Sequence, residues 1–433
     1  MRKMNVYMST ELGENTYQTT LKNGLDVYIC KKEGFQKKVG LFGTKYGSLT
    51  NDFMDIATSK RVQVPAGIAH FLEHKLFEKE GDNALDIFSR IGVSANAYTS
   101  LDQTVYYFET IEKFEPALEV LVRLVKEPYF TDENVKKEQG IIDQELLMYQ
   151  DEPSYMVYFN MLRAMYQKSP INVDVVGTLE SIASITKELL YTCYHTFYSP
   201  QNMFFIVVGD VDVETTINSI EENIKKYEKG YEKDEKKAII QKFMEEEPPE
   251  IKTPYVEGKM DVYMPQISVG YKMDMVEKSQ ILKRQIVADF INHMYFSRLS
   301  NFYEEEYQKG VLNEPLYFDY EGGEGFSHVV ISGASVKIEE LKNDLQQYLD
   351  KIIHSEIDTD LFDLIKKKKI GYIEFMADNM RTSYTRIIES IINETALYED
   401  IQILKDIKKE DIKDFLQLLE SQKEVVSVIL PKE

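Results

Sequence analysis

The chain has 433 residues, 43% of them hydrophobic and 12% aromatic, which is enough for more than one packed core. A formal net charge of -22 offers no basic face for phosphate and excludes nucleic acid as the expected partner; the surplus keeps the surface soluble and would attract basic peptides. No apolar run reaches the ~18 residues of a membrane span, no apolar signal region follows Met1-Arg2-Lys3, and Cys30 and Cys193 form no C-x-x-C, so a cytoplasmic location without membrane attachment is expected.

In chain order, residues 24–29 alternate like a strand behind a turn glycine, and 38–46 read as a second strand. Residues 66–77 have helical periodicity, and 83–91 form a second helix stopped by Gly92. Residues 93–98 and 104–109 read as two strands joined around Ser100-Leu101-Asp102. A helix over 116–126 follows, then a long one capped by Thr131, with Asp132 and Glu133 in its first turn, running to about Tyr149. Residues 203–209 are an apolar strand followed by a helix from about Val213.

Residues 226–255 change character, with a charged run and then Glu245-Glu246-Glu247-Pro248-Pro249, and read as an exposed linker. Beyond it the order of the first half returns: strands near 260–273, helices over about 280–307, strands near 316–335, helices, and a last strand at 425–430. The expected organisation is a domain over 1–225, a linker over 226–255 and a homologous domain over 256–433. Strands and helices come in blocks, so the fold class is α+β with mostly antiparallel sheets. Glu321-Gly322-Gly323-Glu324-Gly325 fits no phosphate-binding template and reads as a turn before a strand at 327–332.

The chemistry concentrates in His70-Phe71-Leu72-Glu73-His74 on the helix over 66–77. Histidines four apart project from one face and can grip one metal ion, with Glu73 beside it; H-x-x-E-H is the inverzincin order. A catalytic site needs a further protein ligand. The long helix offers Glu138 and Glu145, seven apart and hence on one face, with Ile141, Ile142 and Leu146 placing an apolar side nearby. Spacing alone leaves open whether these two glutamates serve a metal or simply face solvent. His195, His293, His328 and His354 fall in no ligand spacing and read as packing or surface residues.

These residues, with Gly67-Ile68-Ala69 before the motif, Ser94-Ala95-Asn96-Ala97-Tyr98-Thr99-Ser100 after it, and Val207-Val208-Gly209-Asp210, resemble the M16 (pitrilysin or insulinase-like) zinc peptidases over nearly the whole chain. The phrases Phe71 to Glu80 and Lys137 to Glu145 are most similar to half-size bacterial members of the YmfH type, a group associated with 5-aminopentanol modification of EF-P; the likeness assigns no role in that modification. The resemblance implies two homologous domains of the LuxS/MPP-like metallohydrolase fold. It implies Zn2+ held by His70, His74 and Glu145, with Glu73 as general base and Glu138 orienting a ligand histidine. It also implies that Ala95, Asn96, Ala97 and Tyr98 lie on an edge strand to which an extended peptide substrate adds.

One departure stands out. Active members place an arginine and a tyrosine in the second half to hold substrate carbonyls, in a stretch that here begins Ser297-Arg298-Leu299; Tyr307 and Asn313 occupy those two places. Half-size members work as paired chains, so the resemblance implies a zinc-less partner chain that supplies the Arg/Tyr pair. The expected function is therefore a zinc-dependent metalloendopeptidase, the zinc-bearing half of a two-chain enzyme. The competing expectation is a non-catalytic assembly or peptide-binding subunit of the same fold, and a complete metal quartet counts against it.

Overall fold

The structure is a computed structural model and describes residues 3–228 and 240–432. Two compact units divide it, one of Met1–Leu146, Asp174–Met244 and Glu374–Ile392, the other of Leu147–Val173, Glu245–Ile373 and Asn393–Glu433. The expected linker, 226–255, contains the switch between units at Met244 and Glu245; its residues 229–239 lie outside the described residues.

The first unit is built on seven strands: β1 (Asn5–Ser9), β2 (Glu14–Thr20), β3 (Asp26–Lys31), β4 (Lys38–Thr44), β5 (Ser94–Thr99), β6 (Thr104–Thr110) and β7 (Met203–Gly209). Their order is β1-β2-β3-β7-β4-β6-β5. β7 runs parallel to β3, and every other neighbouring pair is antiparallel. β7 lies in the middle and all its residues are buried, which is why it reads as a continuous apolar run rather than an alternating one. Helices α1 (Ile68–Phe77), α2 (Ala84–Arg90), α3 (Phe114–Lys126) and α4 (Asp132–Gln150) follow in the order expected. α3 buries Ala117, Leu118, Leu121, Val122 and Val125 as a stripe. Each fully buried Leu or Val in such a stripe contributes about 1.5–3 kcal/mol.

The second unit carries β8 (Tyr255–Met260), β9 (Gln266–Lys272), β10 (Tyr317–Gly323), β11 (Phe326–Ala334) and β12 (Lys423–Pro431) in the order β8-β12-β9-β11-β10. Only β8 and β12 are parallel. Position by position this repeats β3-β7-β4-β6-β5, including the one parallel pair, so the two domains share a topology. Glu321, Gly322 and Gly323 belong to β10 rather than to a turn. There Gly323 faces Phe326 across a tight hairpin, and the aromatic ring fills the space a Cβ would take.

Two features lie outside the sequence reading. β1 and β2 extend the first sheet, and β2 escapes a hydrophobic pattern because its buried residues are Glu14, Thr16 and Thr19. Glu14 is tolerated there because its carboxylate pairs with buried Lys32 and accepts a hydrogen bond from Ser383 at 2.8 Å. In addition, each unit takes in a helix from the other half of the sequence: Met380–Ile392 in the first and Pro153–Met165 in the second. In the second unit Gly270 leaves the space that Met161 and Met165 fill.

Candidate metal centre

α1 begins at a glycine that nothing else can replace without strain. Gly67 sits at φ 85, in the left-handed region, and an added Cβ would lie 2.2 Å from the Val176 carbonyl oxygen. Ser181 Oγ donates to the Ala66 carbonyl at 2.8 Å, tying the helix start to the 174–183 segment. The left-handed backbone alone costs an L-residue about 1–2 kcal/mol. Gly67→Ala should therefore lower the unfolding free energy by more than about 2 kcal/mol, and a thermal melt unchanged from wild type would contradict this.

From that start α1 runs buried on nearly all sides; of its ten residues only His74 is not fully buried. The His70 and His74 rings lie 4.5 Å apart between centroids, tilted by 59°. Both present Nε2 to Glu145 on α4, His70 at 3.7 Å from Oε1 and His74 at 3.5 Å from Oε2. Two donors on bonds of about 2.0–2.1 Å at the tetrahedral angle stand about 3.4 Å apart. The two imidazole–carboxylate distances are close to that spacing, and the three donor groups offer atoms that all lie within 4.8 Å of one another. Among the described residues the group has three members, which leaves one position for water or substrate.

Glu138, two turns before Glu145, lies 3.0 Å from His74 Nδ1, which fixes the ring and leaves Nε2 for a metal. Its other oxygen is 3.6 Å from the ammonium of Lys75. Lys75 is fully buried, pairs with Glu78 at 2.6 Å and donates to the Asn134 carbonyl at 3.2 Å. Sequence reasoning passed over Lys75, although a lysine in a helix turn otherwise made of Phe71, Leu72 and Leu76 is itself a signal of a buried partner.

Glu73 finds its hydrogen-bond partner on the sheet. Its Oε2 accepts from Thr99 Oγ1 at 2.9 Å, the last residue of β5, and Thr99 is also 3.3 Å from Thr104 Oγ1. Thr99 was likewise missed, being one hydroxyl in a run of small strand residues. β5 is the outermost strand of its sheet. Ala95 and Ala97 share the face of Thr99, while Asn96 and Tyr98 point to the other face.

Burial sets the electrostatics. It pushes the His70 imidazole down to about 3, helped by neighbouring His74. It lifts the Glu73 carboxyl to about 7 against the His74 charge and the Thr99 hydrogen bond. For His74 burial opposes the cation, but the Glu138 hydrogen bond and the surrounding carboxylates prevail and raise it. For Glu138 burial opposes the anion, but His74 and Lys75 prevail and lower it.

A stability test follows for the metal-free protein. Folded Glu73 keeps its proton to about 7, whereas its ordinary value is 4.5. Its stabilising contribution is complete below pH 4.5 and is lost as the pH rises through 7. Glu73→Gln stays neutral and should make the metal-free protein more stable than wild type at pH 8 by on the order of 3 kcal/mol, with no gain at pH 4. Urea unfolding at the two pH values reads the difference; an equal gain at both would contradict it.

In the second unit Tyr307 is exposed, the Asn313 carbonyl accepts from Tyr303 at 3.0 Å, and Arg298 pairs with Glu314.

Comparison with known proteins gives a consistent picture. The profile of the insulinase family (peptidase family M16) matches residues 63–179, and that of the peptidase M16 inactive domain matches 184–369. The uncharacterized zinc protease YmfH of Bacillus subtilis is 36% identical over 94% of this chain and 94% of its own length. An M16-like peptidase structure from Alicyclobacillus acidocaldarius superposes with a TM-score of 0.90 at 29% identity, covering 98% of this chain and 100% of that one. The periplasmic protease PqqL of Escherichia coli shares the fold (TM-score 0.73, 18% identity), and this chain, 96% covered, spans 47% of it.

Proposed function

The chain belongs to the insulinase-like peptidase family M16, and from that premise we propose that it is a zinc-dependent endopeptidase acting on extended peptides. The observation that carries the reading is the donor set: two imidazoles and a carboxylate whose ligand atoms lie within 4.8 Å of one another, with buried Glu73 next to His74 on the same helix.

His70, His74 and Glu145 would hold the zinc, which when bound lowers the pKa of a coordinated water and polarises a peptide carbonyl. Glu73 is the general base, placed next to the ligand His74 to take a proton from water and pass it to the leaving amine. Thr99 holds that carboxylate in place through its 2.9 Å hydrogen bond. Glu138 orients His74, and His74 with Lys75 favours the ionised form of Glu138. The open edge of β5 offers backbone groups to an added strand, and the small Ala95 and Ala97 let the substrate backbone come close on the face of the base. Backbone pairing of this kind favours broad sequence specificity.

We assign this protein the role of the zinc-bearing half of a two-chain enzyme. On the family resemblance, Tyr307 and Asn313 take the places of the arginine and tyrosine of active members, and this chain spans about half of PqqL. A missing charge-stabilising donor costs about 2.7–4 kcal/mol of transition-state binding. Two free buried cysteines suit a reducing cytoplasm, and among the described residues no helix is long and apolar enough to cross a membrane. The zinc-loaded protein without a partner should leave an internally quenched mixed-sequence peptide uncut; turnover that disappears in Glu73→Gln would establish the peptidase and remove the need for a partner.

A further inference from the structure

Among the described residues β5 has one unpaired edge. At its Ser94 end, away from Glu73, lies a cavity of about 660 Å³, within the size range of ligand pockets, walled by Ser94, by Gly92 before the strand and by Glu109 at the end of β6. Ile91 and Ile111 line it, Ile111 being 58% exposed, and Lys37, paired with Glu109, and Lys113 stand at its rim.

We propose that this cavity is a distal substrate pocket, filled by a large apolar side chain of the peptide about five residues C-terminal to the cleaved bond. The inference rests on the strand-addition reading above. β5 runs from Ser94 towards Thr99, and Thr99 touches the base. Both strand contacts already formed along this side of the sheet, β5 with β6 and β6 with β4, are antiparallel. A peptide added in the same sense runs from Thr99 towards Ser94, so its C-terminal side meets the cavity. Five residues at about 3.4 Å each carry it about 17 Å, the length of β5.

Side-chain parity agrees. Residues opposite one another in an antiparallel pair point to the same face. The peptide residue facing Thr99 therefore points to the face of the base, and the one facing Ser94, an odd number of positions away, points to the other face. Glu109, which pairs with Ser94 and lines the cavity, is on that other face. Specificity then comes from one anchor far from the reacting bond, while residues between contribute mainly through their backbone.

The test uses peptides with an N-terminal hydroxamate, a zinc-chelating group that fixes the register and leaves the peptide to extend on its C-terminal side. With the zinc-loaded full-length protein, one Phe is moved through successive positions of a Ser-rich background, and Kd is measured by fluorescence anisotropy. We expect about tenfold tighter binding with Phe at the fifth or sixth position only, and loss of that preference in Ile111→Ser, whose exposed site leaves folding intact. A flat profile, or a preference that survives Ile111→Ser, overturns the pocket. A parallel series N-methylated at the third residue separates the two claims: if N-methylation weakens binding while the Phe scan is flat, strand addition stands and the pocket fails. If N-methylation has no effect, strand addition fails and takes the pocket with it.

Discussion

Glu145→Gln leaves the protein folded but without zinc. Glu145 is the only carboxylate in the donor set; the other two members are imidazoles, which bind a metal as neutral rings. An amide oxygen brings no charge to offset the ion, and its nitrogen cannot accept. Substitutions one step removed from a ligand already cost 10–100-fold in metal affinity, so loss of the ligand itself should exceed about 100-fold. Glu145 is part-exposed on a helix whose packing residues are Val135, Ile142 and Leu146, so the fold does not depend on it. Competition with a chromophoric chelator measures the affinity. Wild-type affinity in Glu145→Gln would remove it from the site.

Glu73→Gln does the opposite: zinc stays and turnover goes. The substituted amide oxygen can still accept from Thr99, so the local geometry survives, but the amide cannot take a proton. A positioned general base contributes about 10²–10⁴ in rate, and Glu73 serves twice, towards water and towards the leaving amine, so the fall in kcat should reach the upper part of that range. KM should change little because no substrate contact is lost. Zinc content and steady-state kinetics on one preparation of the native assembly check both halves; kcat within tenfold of wild type would move the base elsewhere.

The residues gathered at the site were legible because helical spacing is arithmetic. His70 and His74, and Glu138 and Glu145, each share a face by number alone. Which of the two glutamates meets both histidines is a matter of tertiary packing, and spacing could not decide it. Thr99 was hidden because its role comes from β5 lying against α1. Lys75 was hidden because a charge on an apolar helix is usually read as exposed. Apolar patterning predicted most strands of the five-strand order that both sheets share, β7 by its continuous apolar run, but not β8, which begins in the stretch read as a linker, nor β1 and β2, where Glu14 and Thr16 are buried on the strength of an ion pair to Lys32 and a bond from Ser383, residue 383 being far away in sequence. The same distance in sequence hid the helix Met380–Ile392 as a part of the first unit.

Metal removal and return tests the central claim most directly. The native assembly, purified from its own cells, is stripped with a chelator, and zinc is added back stepwise while hydrolysis of an internally quenched peptide is followed. We expect no turnover in the stripped protein and a linear return that levels off at one zinc per molecule of this protein. Hydrolysis that persists without metal, or protein that takes up one zinc per molecule and still cleaves nothing, would contradict it.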